Sequence, residues 1–235
     1  FFIGVYGTDI RETFDLTNGE FGNWYLLITL GSALGLNRLG HLIDKIPLGK
    51  WIIILSIIMA LFMLLIAFGQ TFMLVFAGIL VVRLISQGLL TVTAMTAMTR
   101  YFDVGRGRAV AIAVLGMPIG QAIFPPLAVY LLGATSWQLS WAIMAASLII
   151  IGLPLLLWLL KGHGLRHAAH LEKVSADKAS ESQTGQIHFG RKDVLKDFRF
   201  YLFLPALLLT PFWVTGMFFF AEPLADAKSW GLSRW

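Results

Sequence analysis

Apolar runs of about twenty residues, separated by short polar turns, set the pattern of this chain. At 1.5 Å of rise per residue, a helix of about 20 residues crosses the roughly 30 Å apolar layer of a bilayer. Six such runs are legible: roughly Asn23–His41, Trp51–Gly69, a run opening at Phe72 and closing on the basic loop Arg100–Arg108, Ala109–Leu132, a run from the turn Gly133–Trp137 to near Leu160, and Tyr201–Phe220. Phe1–Gly7 reads as the tail of a preceding helix, and the sequence as a fragment of a longer chain. Thr8–Gly22, with a turn at Thr17-Asn18-Gly19, reads as an exposed loop. Gly40–Lys50 reads as a tight turn because Pro47 and its flanking glycines end helices. Only Gln70-Thr71 parts the second run from the third, which predicts a helical hairpin, and Pro118 with the pair Pro125-Pro126 predicts a bent fourth run. Lys161–Arg199 is too long and polar for a packed connection and reads as a flexible linker. The expected fold class is all-α, a polytopic membrane helix bundle.

Composition closes off other classes. With 57% hydrophobic residues, 13% charged residues and a mean hydropathy of +0.77, the chain is wrong for a soluble domain. Its net charge of +5 is scattered in short stretches between apolar runs, which excludes a nucleic-acid patch. The absence of cysteine excludes disulfides, CxxC redox chemistry and thiolate metal sites. Placing Arg38–Lys50, Arg100–Arg108 and Lys161–Arg199 on one side of the membrane collects fourteen of the eighteen Lys and Arg residues, so that side is expected to be cytoplasmic. Trp24, Trp51, Trp137, Trp141 and Trp158 fall near span ends, as interfacial anchors do. None of the thirteen acidic residues lies within a span, Glu222 being at an edge, so no paired carboxylates mark an enzyme. His163, His167 and His170 share helical spacing but read as part of a solvated segment. No cofactor, no metal and no enzymatic activity are expected.

One cation breaks the apolar pattern. Arg83 lies about 16 Å along the helix that opens at Phe72, near the midplane of the apolar layer. An arginine there costs at least ~2.5 kcal/mol, so it is expected to face a polar interior or a partner. The i, i+4 step places Arg83, Gln87 and Thr91 on one polar stripe, the candidate substrate-binding or coupling residues. Two pairs of small residues, Gly31 with Gly35 and Gly116 with Gly120, have the spacing that lets helix backbones approach closely, and are assigned to helix packing.

The turn Gly40-x-x-x-Asp44-Lys45, closing on Gly49-Lys50, resembles the motif that the major facilitator superfamily carries between its second and third spans. Here Ile46-Pro47-Leu48 separates the basic residue from Gly49, a departure from the family spacing. Arg83-x-x-x-Gln87-Gly88 resembles the family's fourth-span motif with one extra residue, and Arg100-Tyr101-Phe102 with Arg106-Gly107-Arg108-Ala109 resembles the approach to its fifth span. Gly107, Gly116 and Gly120 match the glycines of the antiporter motif, but Gln121 and Phe124-Pro125 depart from it, which weakens a drug-efflux reading. The outline Phe14 to Trp24 recurs from Phe218 to Trp235, after the linker.

The resemblance implies a twelve-span transporter built of two six-span halves. This chain would hold the tail of the first span and the second to seventh: residues 1–160 in the N-terminal half, 161–199 in the linker, and 200–235 at the start of the C-terminal half. By resemblance Asp44, in the motif of Gly40, Asp44, Lys45, Gly49 and Lys50, supports closure of the cytoplasmic gate. The implied function is secondary active transport of a small solute by alternating access. The fixed cation of Arg83 points to a small organic anion, monocarboxylate-like, with proton coupling. The alternative is a neutral or cationic solute or drug, with Arg83 serving coupling or structure; a receptor or structural subunit is the alternative of another class. The expected partners are the lipid bilayer, a small-molecule substrate and a proton, with no nucleic acid. The expected location is the inner (plasma) membrane of a bacterium.

Overall fold

A computed structural model of the protein describes residues 2–101, 106–161 and 196–228, and the apolar runs among them are helices. Short helices α1 (Phe2–Val5) and α2 (Gly7–Thr13) precede α3 (Asn18–Leu39), which tightens into a 3-10 turn over Gly40–Asp44. Then come α4 (Leu48–Phe68), α5 (Phe72–Arg83), a π-helical segment Leu84–Leu89 and α6 (Leu90–Tyr101). They are followed by α7 (Arg106–Val114), α8 (Gly116–Ala134), α9 (Trp137–Ser147), a second π-helical segment Leu148–Gly152, α10 (Leu153–Leu159) and α11 (Phe198–Ala227). Among the described residues six stretches are long and apolar enough to cross a membrane: Asn18–Ile43, Leu48–Phe68, Phe72–Met98, Gly107–Ala134, Trp137–Leu159 and Phe198–Met217. The expected polytopic all-α bundle is the observed one.

Local sequence explains where these helices start, stop and widen. Thr17 accepts from the backbone N–H of Glu20 at 3.3 Å, and the Glu20 carboxylate accepts from the backbone N–H of Thr17 at 2.9 Å. This capping box satisfies two amides at the start of α3. It draws Asn18 and Gly19 into the helix, and α2 occupies Gly7–Thr13, so the stretch expected as a loop is largely helical, with its turn at Phe14-Asp15. Asp15 takes a positive φ of 51°, which a short polar side chain tolerates. Ser136 caps α9 by accepting from Leu139 N–H at 3.2 Å. The fourth run breaks at Leu115, three residues before Pro118, whose ring lacks an N–H and crowds the carbonyl of Val114, yet the helix continues through Pro125 and Pro126. Pro154 likewise cannot bond the carbonyl of Ile150, within the second wide segment.

The chain divides into two compact units, Tyr6–Leu171 and Phe1–Val5 with Glu172–Trp235. In the first, α4 packs on α5 and α9, α3 packs on α5 and the π-helical segment after it, and α8 packs on α9. In the second, α1 packs on α11. Within the first unit the loops gather at two ends. At one end Phe14, Trp24, Phe72, Phe76 and Trp137 form edge-on ring contacts, and Trp137 Nε1 donates to Thr13 Oγ1 at 3.1 Å. At the other, Ile43, Leu48, Trp51, Leu55, Leu84, Ile85 and Leu89 form a buried cluster. Leu26, Leu27, Leu30 and Leu34 of α3 and Ile150, Ile151, Leu155 and Leu159 beyond α9 are exposed. Such a surface would aggregate in water and is the natural outer face in lipid. The expected linker lies outside the described residues except for Lys161 and Lys196–Arg199, as do the three linker histidines and Phe102.

Candidate functional site

The site begins with two helices in contact through glycines. A Cβ added at Gly31 would come within 3.0 Å of Leu80 Cδ1, and one at Gly35 within 2.9 Å of Leu84 Cδ2. Gly88 meets Leu36 in the same way at 3.3 Å. These contacts step forward together along both sequences, so α3 and α5 run parallel and in register, with Gly31 and Gly35 as the small residues that admit leucines of the neighbour. Gly116 and Gly120 behave differently. A Cβ at Gly116 meets nothing within 4 Å, and one at Gly120 meets only the Phe124 ring of its own helix, at 3.5 Å.

Arg83 closes α5 where the helix widens. Its Nη1 donates to the hydroxyl of Tyr25 on α3, and its guanidinium carbon lies 4.6 Å from the centroid of the Tyr25 ring. Both side chains are half-buried. The partner of the intramembrane cation is therefore a phenol and an aromatic face, which stabilise the charge without neutralising it. Tyr25 is the functional residue that the sequence pattern hides, beside Trp24, which reads as an interfacial anchor. The spacing of Tyr25, Thr29 and Ser32, one turn and then nearly another apart, was the signal of a second polar stripe. Thr29 and Ser32 donate to carbonyls of their own helix, Tyr25 at 2.8 Å and Thr29 at 2.9 Å.

The stripe beyond Arg83 is built on the wide turn. Bonding from i to i+5 leaves carbonyls poorly matched to an ordinary ladder. The Thr91 hydroxyl donates to Ser86 O at 3.4 Å, and Thr93, fully buried, donates to Leu89 O at 2.6 Å. Ser86, Gln87 and Thr91 are exposed on this segment. Gln87 and Thr91 thus lie one and two turns past Arg83, and neither is among the bonds its guanidinium makes.

The turn Gly40–Lys50 sits at the opposite end from the aromatic cluster. Gly40 to Asp44 form the 3-10 turn, Lys45 and Lys50 are exposed, Gly49 is half-buried, and of Asp44 only the backbone is described. Arg100, from the end of α6, donates to Ile43 O at 3.4 Å, so a cation meets the carbonyl end of this turn. At the aromatic end Tyr6 is buried and donates to Ala128 O at 3.3 Å, while Arg11 donates to Thr8 Oγ1 at 2.8 Å and to Asn18 Oδ1. Among the described residues no cluster of His, Asp and Glu could hold a metal.

The family model described as Major Facilitator Superfamily matches residues 1–233. No curated protein and no solved structure matches the chain.

Proposed function

Since the chain belongs to the Major Facilitator Superfamily, a family of membrane transporters, we propose that it carries a small organic anion of the monocarboxylate kind by alternating access, coupled to a proton. The observation that carries this reading is Arg83. It is a permanent cation within a membrane span whose partner on α3 brings no negative charge. A planar carboxylate matches its fork in two parallel hydrogen bonds, and in a site of low dielectric such a pair is far stronger than in water. Gln87 and Thr91 continue the polar lining from the wide turn, and Gly40, Asp44, Lys45, Gly49 and Lys50 form the conformational motif at the far end.

The bond between Arg83 and Tyr25 also supports a second reading, in which the cation ties α3 to α5 or serves coupling while the cargo is neutral or cationic. Binding and accumulation separate the two. The protein is purified, its affinity for formate, lactate, pyruvate and oxalate measured at equilibrium, and proton-driven accumulation of the same solutes followed in proteoliposomes. Arg83→Ala is expected to abolish both. Loss of accumulation with carboxylate affinity intact would assign Arg83 to coupling and remove the anion site.

A further inference from the structure

We infer that Tyr25 is the positioning residue of Arg83: it holds one face and one amino group of the guanidinium so that the opposite edge of the fork is presented to a carboxylate. This rests on the reading of Arg83 as the anion-binding cation. The geometry supplies the rest. Nη1 donates to the Tyr25 hydroxyl and the ring flanks the guanidinium carbon at 4.6 Å. Among the described residues no other group takes an N–H of Arg83, so Nε and Nη2 keep their donors, and they lie along the edge that binds a carboxylate in two bonds.

The register of the two helices shows why a positioning residue is needed. With Gly31 against Leu80 and Gly35 against Leu84, Arg83 stands level with the stretch just before Gly35. Tyr25 lies about nine residues, roughly 13 Å, toward the Thr17 end of α3. The pair meets across that offset by side-chain reach, and the arginine extends toward the N-terminus of its own helix, the direction in which helical side chains lean. A side chain so extended has many alternative rotamers, and ordering it at the moment of binding would weaken affinity. Tyr25 orders it beforehand, and the contacts of Gly31 with Leu80 and of Gly35 with Leu84 set the register that brings the two side chains together. The guanidinium is also drawn away from Gln87 and Thr91, so the anionic head of a cargo belongs beside Tyr25 and its remainder toward Gln87.

A double-mutant cycle tests this on the purified transporter. Equilibrium affinity and transport kinetics for formate, lactate, pyruvate and oxalate are measured on the unaltered protein, Tyr25→Phe, Arg83→Lys and the double variant. Tyr25→Phe keeps the ring and loses the acceptor, and is expected to lower affinity for the bound carboxylate roughly tenfold, with the maximal rate nearly unchanged. In the Arg83→Lys protein, where no fork remains to orient, Tyr25→Phe is expected to cost nothing further. Should Tyr25→Phe fail to purify as a monodisperse species, Tyr25→Trp, which also has an aromatic face and no acceptor, gives the same reading. Additive losses in the two variants would mean that Tyr25 acts on the fold and not through Arg83, and unchanged or improved affinity in Tyr25→Phe would likewise overturn the inference. Failure of the anion reading looks different: either no carboxylate binds the unaltered protein or Arg83→Ala binds as well as it does, and that outcome overturns this inference with it.

Discussion

At the scale of residues, the chemistry is concentrated in side chains whose partners differ from what spacing alone suggests. Gln87 and Thr91 share a stripe with Arg83, but the Thr91 hydroxyl is turned back to Ser86 O while Gln87 is exposed. Gln87→Ala is therefore expected to weaken carboxylate binding by about 1 kcal/mol, one net hydrogen bond, and Thr91→Ala by less, as read by equilibrium titration. Asp9 provides a pH handle outside the spans. Partial burial raises its carboxyl above the usual range, a hydrogen bond to its own backbone opposes that rise, and the charge of Glu12 adds to it. Because the folded state favours the protonated form, the associated stabilisation is present below the ordinary carboxylate pKa and is lost as pH rises through the raised value. Asp9→Asn is expected to raise the melting temperature at neutral pH and to leave it unchanged in acid. A melting curve that shifts equally at both pH values would show that the effect is not titration.

At the scale of elements, glycines of one residue type have opposite roles. A Cβ at Gly78, in α5, would lie 2.5 Å from Ile66 Cγ1 and 3.2 Å from the backbone oxygen of Phe62, both on α4. Gly78→Ala is expected to destabilise the protein by about 1–3 kcal/mol despite the better helix propensity of alanine. Gly116→Ala meets open space and is expected to be neutral or slightly stabilising; detergent melts of the two variants side by side check the contrast. Thr17→Ala removes one side of the capping box and is expected to cost roughly 0.5–2 kcal/mol in the same assay. The boundaries around α4 and the start of α5 were legible to within a few residues because Pro47, Gly69 and the Gln70-Thr71 turn are strong punctuation, whereas α3 begins five residues before its expected run and α11 ends seven after. The wide turn at Leu84–Leu89 was not, since it contains no proline and its polar residues keep the ordinary helical spacing from Arg83. Nor was α2, a short helix between polar residues whose apolar face, Ile10, is completed only by its neighbours.

At the scale of the whole molecule, the aromatic contacts and the buried cluster place the turns around Phe14, Gln70 and Thr135 at one end of the Tyr6–Leu171 unit and the turn at Lys50 at the other. The excess of Lys and Arg on the Lys50 side predicts that this end is cytoplasmic. With no cysteine in this sequence, Gln70→Cys and Thr135→Cys should react with an impermeant thiol reagent in intact cells, and Lys50→Cys only after permeabilisation. Labelling of Lys50→Cys from outside would reverse the orientation. The sequence by itself determined that this is a membrane helix bundle, where its spans fall and that Arg83 stands among them. Length and apolarity of each run are local properties, and a helix in lipid satisfies its own backbone without reference to its neighbours. Tertiary structure alone decided what meets what: that Gly31 and Gly35 admit leucines while Gly116 faces open space, and that the guanidinium of Arg83 is met by the hydroxyl and ring of Tyr25. Those outcomes depend on the register between helices, which is set by side-chain shape across two distant segments and leaves no periodic trace in either one.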